Sequence, residues 1–183
     1  MRINGTIIIL FIGLILVSCG QNNTNKNTGL VDNKAPNMEV QLDTSMVAML
    51  PFDTTKTWIF ENARQTELSI NDLIIIEDIL TGCISEYNTK QKQLFKELKS
   101  NNLESNLDIK HFIIDLERYK RQYMAVINDK GEKEVWINCF CDSWGKNWRE
   151  EQIIIKDGGN CYFNLKINIR KKKYYDFMVN GYA

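Results

Sequence analysis

Histidine is what this chain has least of: His111 stands alone among 183 residues. Any serine or cysteine triad would have to run through that one imidazole. The common chemical signatures are missing as well, with no Gly-x-Ser-x-Gly elbow, no His-Glu-x-x-His, no Gly-x-x-x-x-Gly-Lys loop and no Gly-x-Gly-x-x-Gly fingerprint. No catalytic residue, metal or cofactor is therefore expected, and His111 reads as a plain surface or packed histidine in a first strand. The paired carboxylates Glu77 and Asp78, or Asp115 and Glu117, read as solvated surface. Charge of one sign is lacking too: 23 Lys and Arg face 23 Asp and Glu. A nucleic-acid partner calls for a basic surplus, so that class is excluded. The single basic run, Arg170-Lys171-Lys172-Lys173, is expected to be a solvated hairpin turn, with contact to anionic headgroups as the weaker reading. A long hydrophobic run is also absent. The apolar stretch over residues 6–15 falls well short of the roughly twenty residues that cross a bilayer.

That short stretch is nevertheless informative. It follows Arg2 and precedes Leu16-Val17-Ser18-Cys19, giving the charged, apolar and small-residue parts of an export signal. The tetrapeptide resembles the lipobox of bacterial lipoproteins. The resemblance implies that the Cys19 thiol receives a diacylglyceryl group, that the chain is cut before it, and that the new amino end is acylated. Several acyl chains anchor firmly where a single one is marginal. An Asp after the cysteine holds such proteins in the inner membrane; Gly20 stands there, which favours the outer membrane. The C-terminal half, through Trp136-Ile137-Asn138-Cys139-Phe140-Cys141 and Gly158-Gly159-Asn160-Cys161-Tyr162-Phe163, resembles small uncharacterised lipoproteins of Bacteroidota-type bacteria. That likeness supports the address and brings no catalytic residue. The expected location is the cell envelope, lipid-anchored to the membrane.

The organisation expected is a signal peptide over residues 1–18, a disordered polar tether over 19–50 and one domain over 51–183. The tether is rich in Asn, Gln and Thr; as a flexible chain it spans roughly 30 Å. A weak element begins at Met46, and residues 57–60 form a possible strand. Ser69 is a fitting N-cap with Asp72 three residues on, and Leu73, Ile76, Leu80, Cys83, Ile84, Tyr87, Leu94 and Leu98 recur at helical spacing. This predicts one helix over 70–99, or two broken near Asn88 and Thr89. From about Ile109 the period becomes two. Tyr119 to Ile127, Val135 to Cys141, Cys161 to Ile169 and Tyr175 to Val179 alternate, Gln152 to Ile155 is a further short apolar segment among them, and Asn128-Asp129-Lys130-Gly131 and Asp157-Gly158-Gly159-Asn160 are turns. The fold class is α+β: an amphipathic helix on one face of a curved antiparallel sheet of four or five strands. The order of elements resembles a cystatin-like roll and implies no function.

Four cysteines remain after Cys19, namely Cys83, Cys139, Cys141 and Cys161, all on faces expected to be buried. They read as core residues or disulfide partners. Cys139 and Cys141 lie about 7 Å apart on one strand face, too far to bridge each other, whereas either can meet Cys161 or Cys83. On the opposite sheet face stand Trp136, Phe140 and Tyr162, with Trp144 and Trp148 in the adjoining loop. Either these five form an exposed patch suited to an envelope protein or a glycan, or the segment around Trp58 and Phe60 closes over them as a second core. Exposure of Trp136 decides between the two. The function expected is a lipid-anchored binding module; the alternative is a small envelope enzyme or thiol-redox protein using the sheet cysteines.

Overall fold

The computed structural model describes residues 44–101 and 108–181. The residues read as signal peptide, Cys19 and most of the segment read as tether lie outside the described residues. The elements are β1 (Val47–Met49), β2 (Arg64–Gln65), α1 (Ile70–Ser100), β3 (Lys120–Ile127), β4 (Lys133–Phe140), β5 (Tyr162–Asn168) and β6 (Lys173–Val179). One helix packs on a mixed sheet of order β1-β3-β4-β5-β6, with β2 also paired to β3.

The helix begins where its cap is built. Asp72 N–H donates to the Ser69 hydroxyl at 3.2 Å, and Ser69 N–H donates back to the Asp72 carboxylate at 2.8 Å. This reciprocal pair satisfies donors that have no partner inside the helix. The helix then runs unbroken through Asn88 and Thr89, so the broken alternative is set aside. Asn88 does not compete with the helix backbone because its amide is engaged elsewhere: it donates to Ile114 O at 2.7 Å and accepts from Ile114 N at 2.8 Å. Ile76, Leu80, Cys83 and Ile84 bury against Tyr123, Val135, Ile137, Cys139, Phe163, Leu165 and Ile167 of the sheet. Each such side chain contributes about 1.5–3 kcal/mol by leaving water.

Strands β3 to β6 form the expected antiparallel meander, with β3 and β4 in register from Lys120 opposite Phe140 to Ile127 opposite Lys133. The basic run lies in the β5–β6 hairpin; Lys171 pairs with Glu132 at 2.7 Å. Five expectations need correction. The sheet is not purely antiparallel, because β1 pairs in parallel with Arg121 to Tyr123; Val47, Ala48 and Leu50 are buried, so the folded part begins inside the segment read as tether. A three-residue strand is too short to show a period, and a parallel partner leaves no turn signal. Residues 57–59 are turn and Phe60 is irregular rather than strand, although Ile59 and Phe60 are buried. Ile109–His111 and Leu116–Arg118 are single 3-10 turns, so His111 lies in no strand. Gln152 to Ile155 is not a strand either: β4 pairs directly with β5, and Ile153 gives its N–H to Gln122 and its carbonyl to Asn138. Side chains take the backbone partners that a neighbouring strand would need.

Candidate functional site

The outer face of the sheet carries Gln122, Met124 and Val126 from β3, Trp136, Asn138 and Phe140 from β4, and Tyr162 from β5. Two covers close over it. From the N-terminal side, Leu50, Phe52, Ile59 and Phe60 pack on Met124, Val126 and Trp136. From the other side, the loop between β4 and β5 lays Ile153 on Phe140 and Tyr162, with Trp148 and Ile155 beside them. Trp136 is 3% exposed, so the second-core alternative holds. Phe140 and Tyr162 are buried with it and Trp148 is half-buried; of the five aromatics read as an exposed patch, Trp144 alone is open to solvent. The apolar outer face was worth more covered than exposed.

What fixes the second cover is polar. The amide of Gln122, wholly buried, donates to Trp148 O at 2.6 Å and Glu151 O at 2.7 Å, and accepts from Ile153 N at 3.0 Å and Asn138 Nδ2 at 3.1 Å. Asn138 adds a bond to Ile153 O at 2.7 Å. Asn180 holds the far end by donating to Ile155 O at 2.8 Å and Asp157 O at 2.9 Å. Gly158 closes the loop at φ 87°, where a Cβ would meet the Tyr162 ring at 2.6 Å. Sequence reading missed Gln122 and Asn138. Their one signal is that two amides interrupt the otherwise apolar outer face of adjacent strands.

Between the two covers lies a groove of about 260 Å³. Trp136 and Asn138 line it beneath a rim of Trp58, Ile154 and Met178, which are 58%, 52% and 59% exposed. Trp58 stands edge-on to Trp136 with ring centroids 5.7 Å apart. Lys156 and Asn164 complete the wall.

The cysteines separate into two kinds. Cys141 and Cys161 form a disulfide across 5.1 Å between Cα atoms; Cys141 is exposed, against the expectation that all four would be buried. It lies just past the end of β4, where the alternation that would bury it has stopped. Cys83 and Cys139 are free thiols in the helix-side core. Burial pushes the Cys83 thiol up to about 11 and raises Cys139 further, so both stay protonated and inert at neutral pH. The disulfide borders a second cleft, of about 450 Å³, lined also by Lys110, His111, Asp115 and Arg118.

Under the helix sits a third polar group. Arg121 pairs with Glu77 at 2.6 Å, and the Tyr123 hydroxyl donates to the other carboxylate oxygen. Burial opposes the Arg121 charge, but Glu77 more than offsets it; burial and then Glu77 push the Tyr123 phenol up. Glu77 is therefore no solvated surface carboxylate, whereas Asp115 and Glu117 are exposed as expected. Among the described residues no cluster of His, Cys, Asp or Glu could hold a metal ion, and no helix is long and apolar enough to cross a membrane. Set beside known protein families, curated proteins and solved structures, the chain matches none.

Proposed function

We propose that this chain is a lipid-anchored binding module of the bacterial cell envelope, and that it takes an apolar segment of an envelope protein into the outer-face groove. One observation carries the ligand site: Trp58, Ile154 and Met178 stand together in solvent around a groove, on a face where the neighbouring large apolar side chains are covered. Water opposes such a cluster unless something covers it. A glycan fits less well. Both amide hydrogens of Asn138 and of Asn180 already go to other partners, so the floor of the groove offers hydroxyl groups no donor from these two amides, and the polar groups of Lys156 and Asn164 stand in the wall. The address rests on Leu16 to Cys19. The Cys141–Cys161 disulfide supports it, because such bonds persist in oxidising compartments. The cystatin-like layout stays a proposal about topology and carries no function.

Two experiments test this reading. Metabolic labelling with a fatty acid should mark the full chain and leave Cys19→Ser unlabelled; equal labelling of the two, or no label on the parent, refutes the anchor at Cys19. In crosslinked envelope preparations, Met178→Asp and Ile154→Asp should each reduce partner recovery at least tenfold, about 1.4 kcal/mol, with an unchanged melting temperature. Undiminished recovery by both variants refutes the groove.

A further inference from the structure

We propose that the Cys141–Cys161 disulfide is an exchange site for small anionic thiols and their disulfides. The proposal stands on the second cleft and is independent of the groove. Cys141 is exposed, Cys161 is half-buried, and both line a cleft of about 450 Å³, so a small molecule can reach the sulfurs without unfolding. The same cleft is lined by the fixed cations Lys110 and Arg118 and by the only imidazole, His111, against one carboxylate, Asp115. Asp142, next to Cys141 in the chain, is a second carboxylate near the sulfurs; it accepts from the Trp144 amide at 2.9 Å and is not part of the cleft lining. The thiolate is both the attacking and the leaving species in exchange, so cations here draw in an anionic thiol and stabilise the departing sulfur.

The bond is also redundant for the fold. Gln122, Asn138 and Asn180 hold the loop between β4 and β5 from Trp148 to Asp157, and Cys141 N–H donates to Cys161 O at 3.0 Å through the backbone rather than through the sulfurs. Reduction therefore leaves the loop in place, as a reversible site requires.

The step balances with a thiol as the only co-reactant. Its thiolate attacks Sγ of Cys141, a mixed disulfide forms, and the electron pair of the broken bond leaves on Sγ of Cys161, which takes a proton from water. A second thiolate attacks the outer sulfur of the mixed disulfide and releases the small disulfide, leaving Cys141 as the second thiol. Two thiols are oxidised and the protein gains two electrons. The reverse reaction uses a small disulfide as oxidant.

The test compares glutathione, which is anionic, with uncharged 2-mercaptoethanol on the full chain in detergent micelles. Each rate is normalised to that on an unstructured disulfide peptide. Alkylation and mass spectrometry then count thiols by position. The expected result is a several-fold preference for glutathione at positions 141 and 161, lost in Lys110→Ala/Arg118→Ala and at high salt, while Cys83 and Cys139 stay unlabelled. Equal normalised rates for the two thiols overturn the proposal. So does labelling of Cys83 or Cys139 in step with 141 and 161, because reduction then proceeds through the unfolded chain.

Discussion

Gln122 makes four hydrogen bonds from a position with no solvent contact, three of them to the backbone of a loop that has no regular structure of its own. A buried carbonyl or amide that loses its partner costs about 1–3 kcal/mol. Gln122→Leu keeps the volume and removes all four bonds, so it should destabilise the protein by about 3 kcal/mol in denaturant unfolding and expose the loop to protease. Asn138→Leu, which loses fewer of these bonds, should cost less. The cysteines give a second prediction at this scale. Cys83 and Cys139 are buried thiols held in the protonated form. Alkylation of the native chain should label neither, and denaturation without reductant should release both. A third thiol in that count would place a free Cys19 in the product and contradict its acylation.

At the scale of an element, the start of α1 is more than a helix cap. Asp72 accepts from Ser69 N–H and from Lys133 Nζ, each at 2.8 Å, so one carboxylate both starts the helix and ties it to β4. Burial pushes this carboxyl up, but the bonds from Lys133 and Ser69 more than offset that and hold it below its ordinary value. A carboxyl depressed in the folded state is stabilising above its unfolded pKa of about 4. That contribution is lost as pH falls through the lower, folded value, because the unfolded chain binds the proton first. Asp72→Asn should cost about 1 kcal/mol at neutral pH, and the gap to the parent should narrow as pH falls below 4. Unfolding midpoints measured against pH check this.

Taken together, the described residues form a sheet covered on both faces, with phenols hung from carboxylates at several places. Tyr123 donates to Glu77, Tyr174 to Glu86 at 2.8 Å and Tyr175 to Glu134 at 3.0 Å. For Tyr123 and Tyr175 burial comes first and the carboxylate second; for Tyr174 the bond to Glu86 leads and brings it to about 12. A phenol raised in the folded state stabilises fully below the unfolded value of about 10, and that stability is lost as pH rises towards the folded values. Alkaline unfolding should therefore begin above pH 10, with tyrosinate absorbance rising in step with loss of structure. Tyr175→Phe should flatten part of that dependence.

The sequence by itself determined what local periodicity and covalent chemistry control. Ser69 and Asp72 mark the start of α1, and the three-and-four spacing from Leu73 to Ile84 carries its buried stripe. Strict alternation from Cys161 to Ile169 and the turn at Asn128 to Gly131 carry much of the antiparallel meander. Tertiary structure alone decided what depends on partners distant in the chain. It settled that Asn88 clamps Ile114 rather than breaking the helix, because an amide follows whichever backbone it can reach. It settled that Val47–Met49 joins the sheet in parallel, and that Gln152 to Ile155 gives its backbone groups to Gln122, Asn138 and Asn180 instead of to a strand. Above all it decided which aromatics meet water. Alternation shows that Trp136 and Phe140 share a face, but burial is a property of what lies over that face. Two irregular segments lie over it, and irregular segments are held by side-chain hydrogen bonds that leave no period to read.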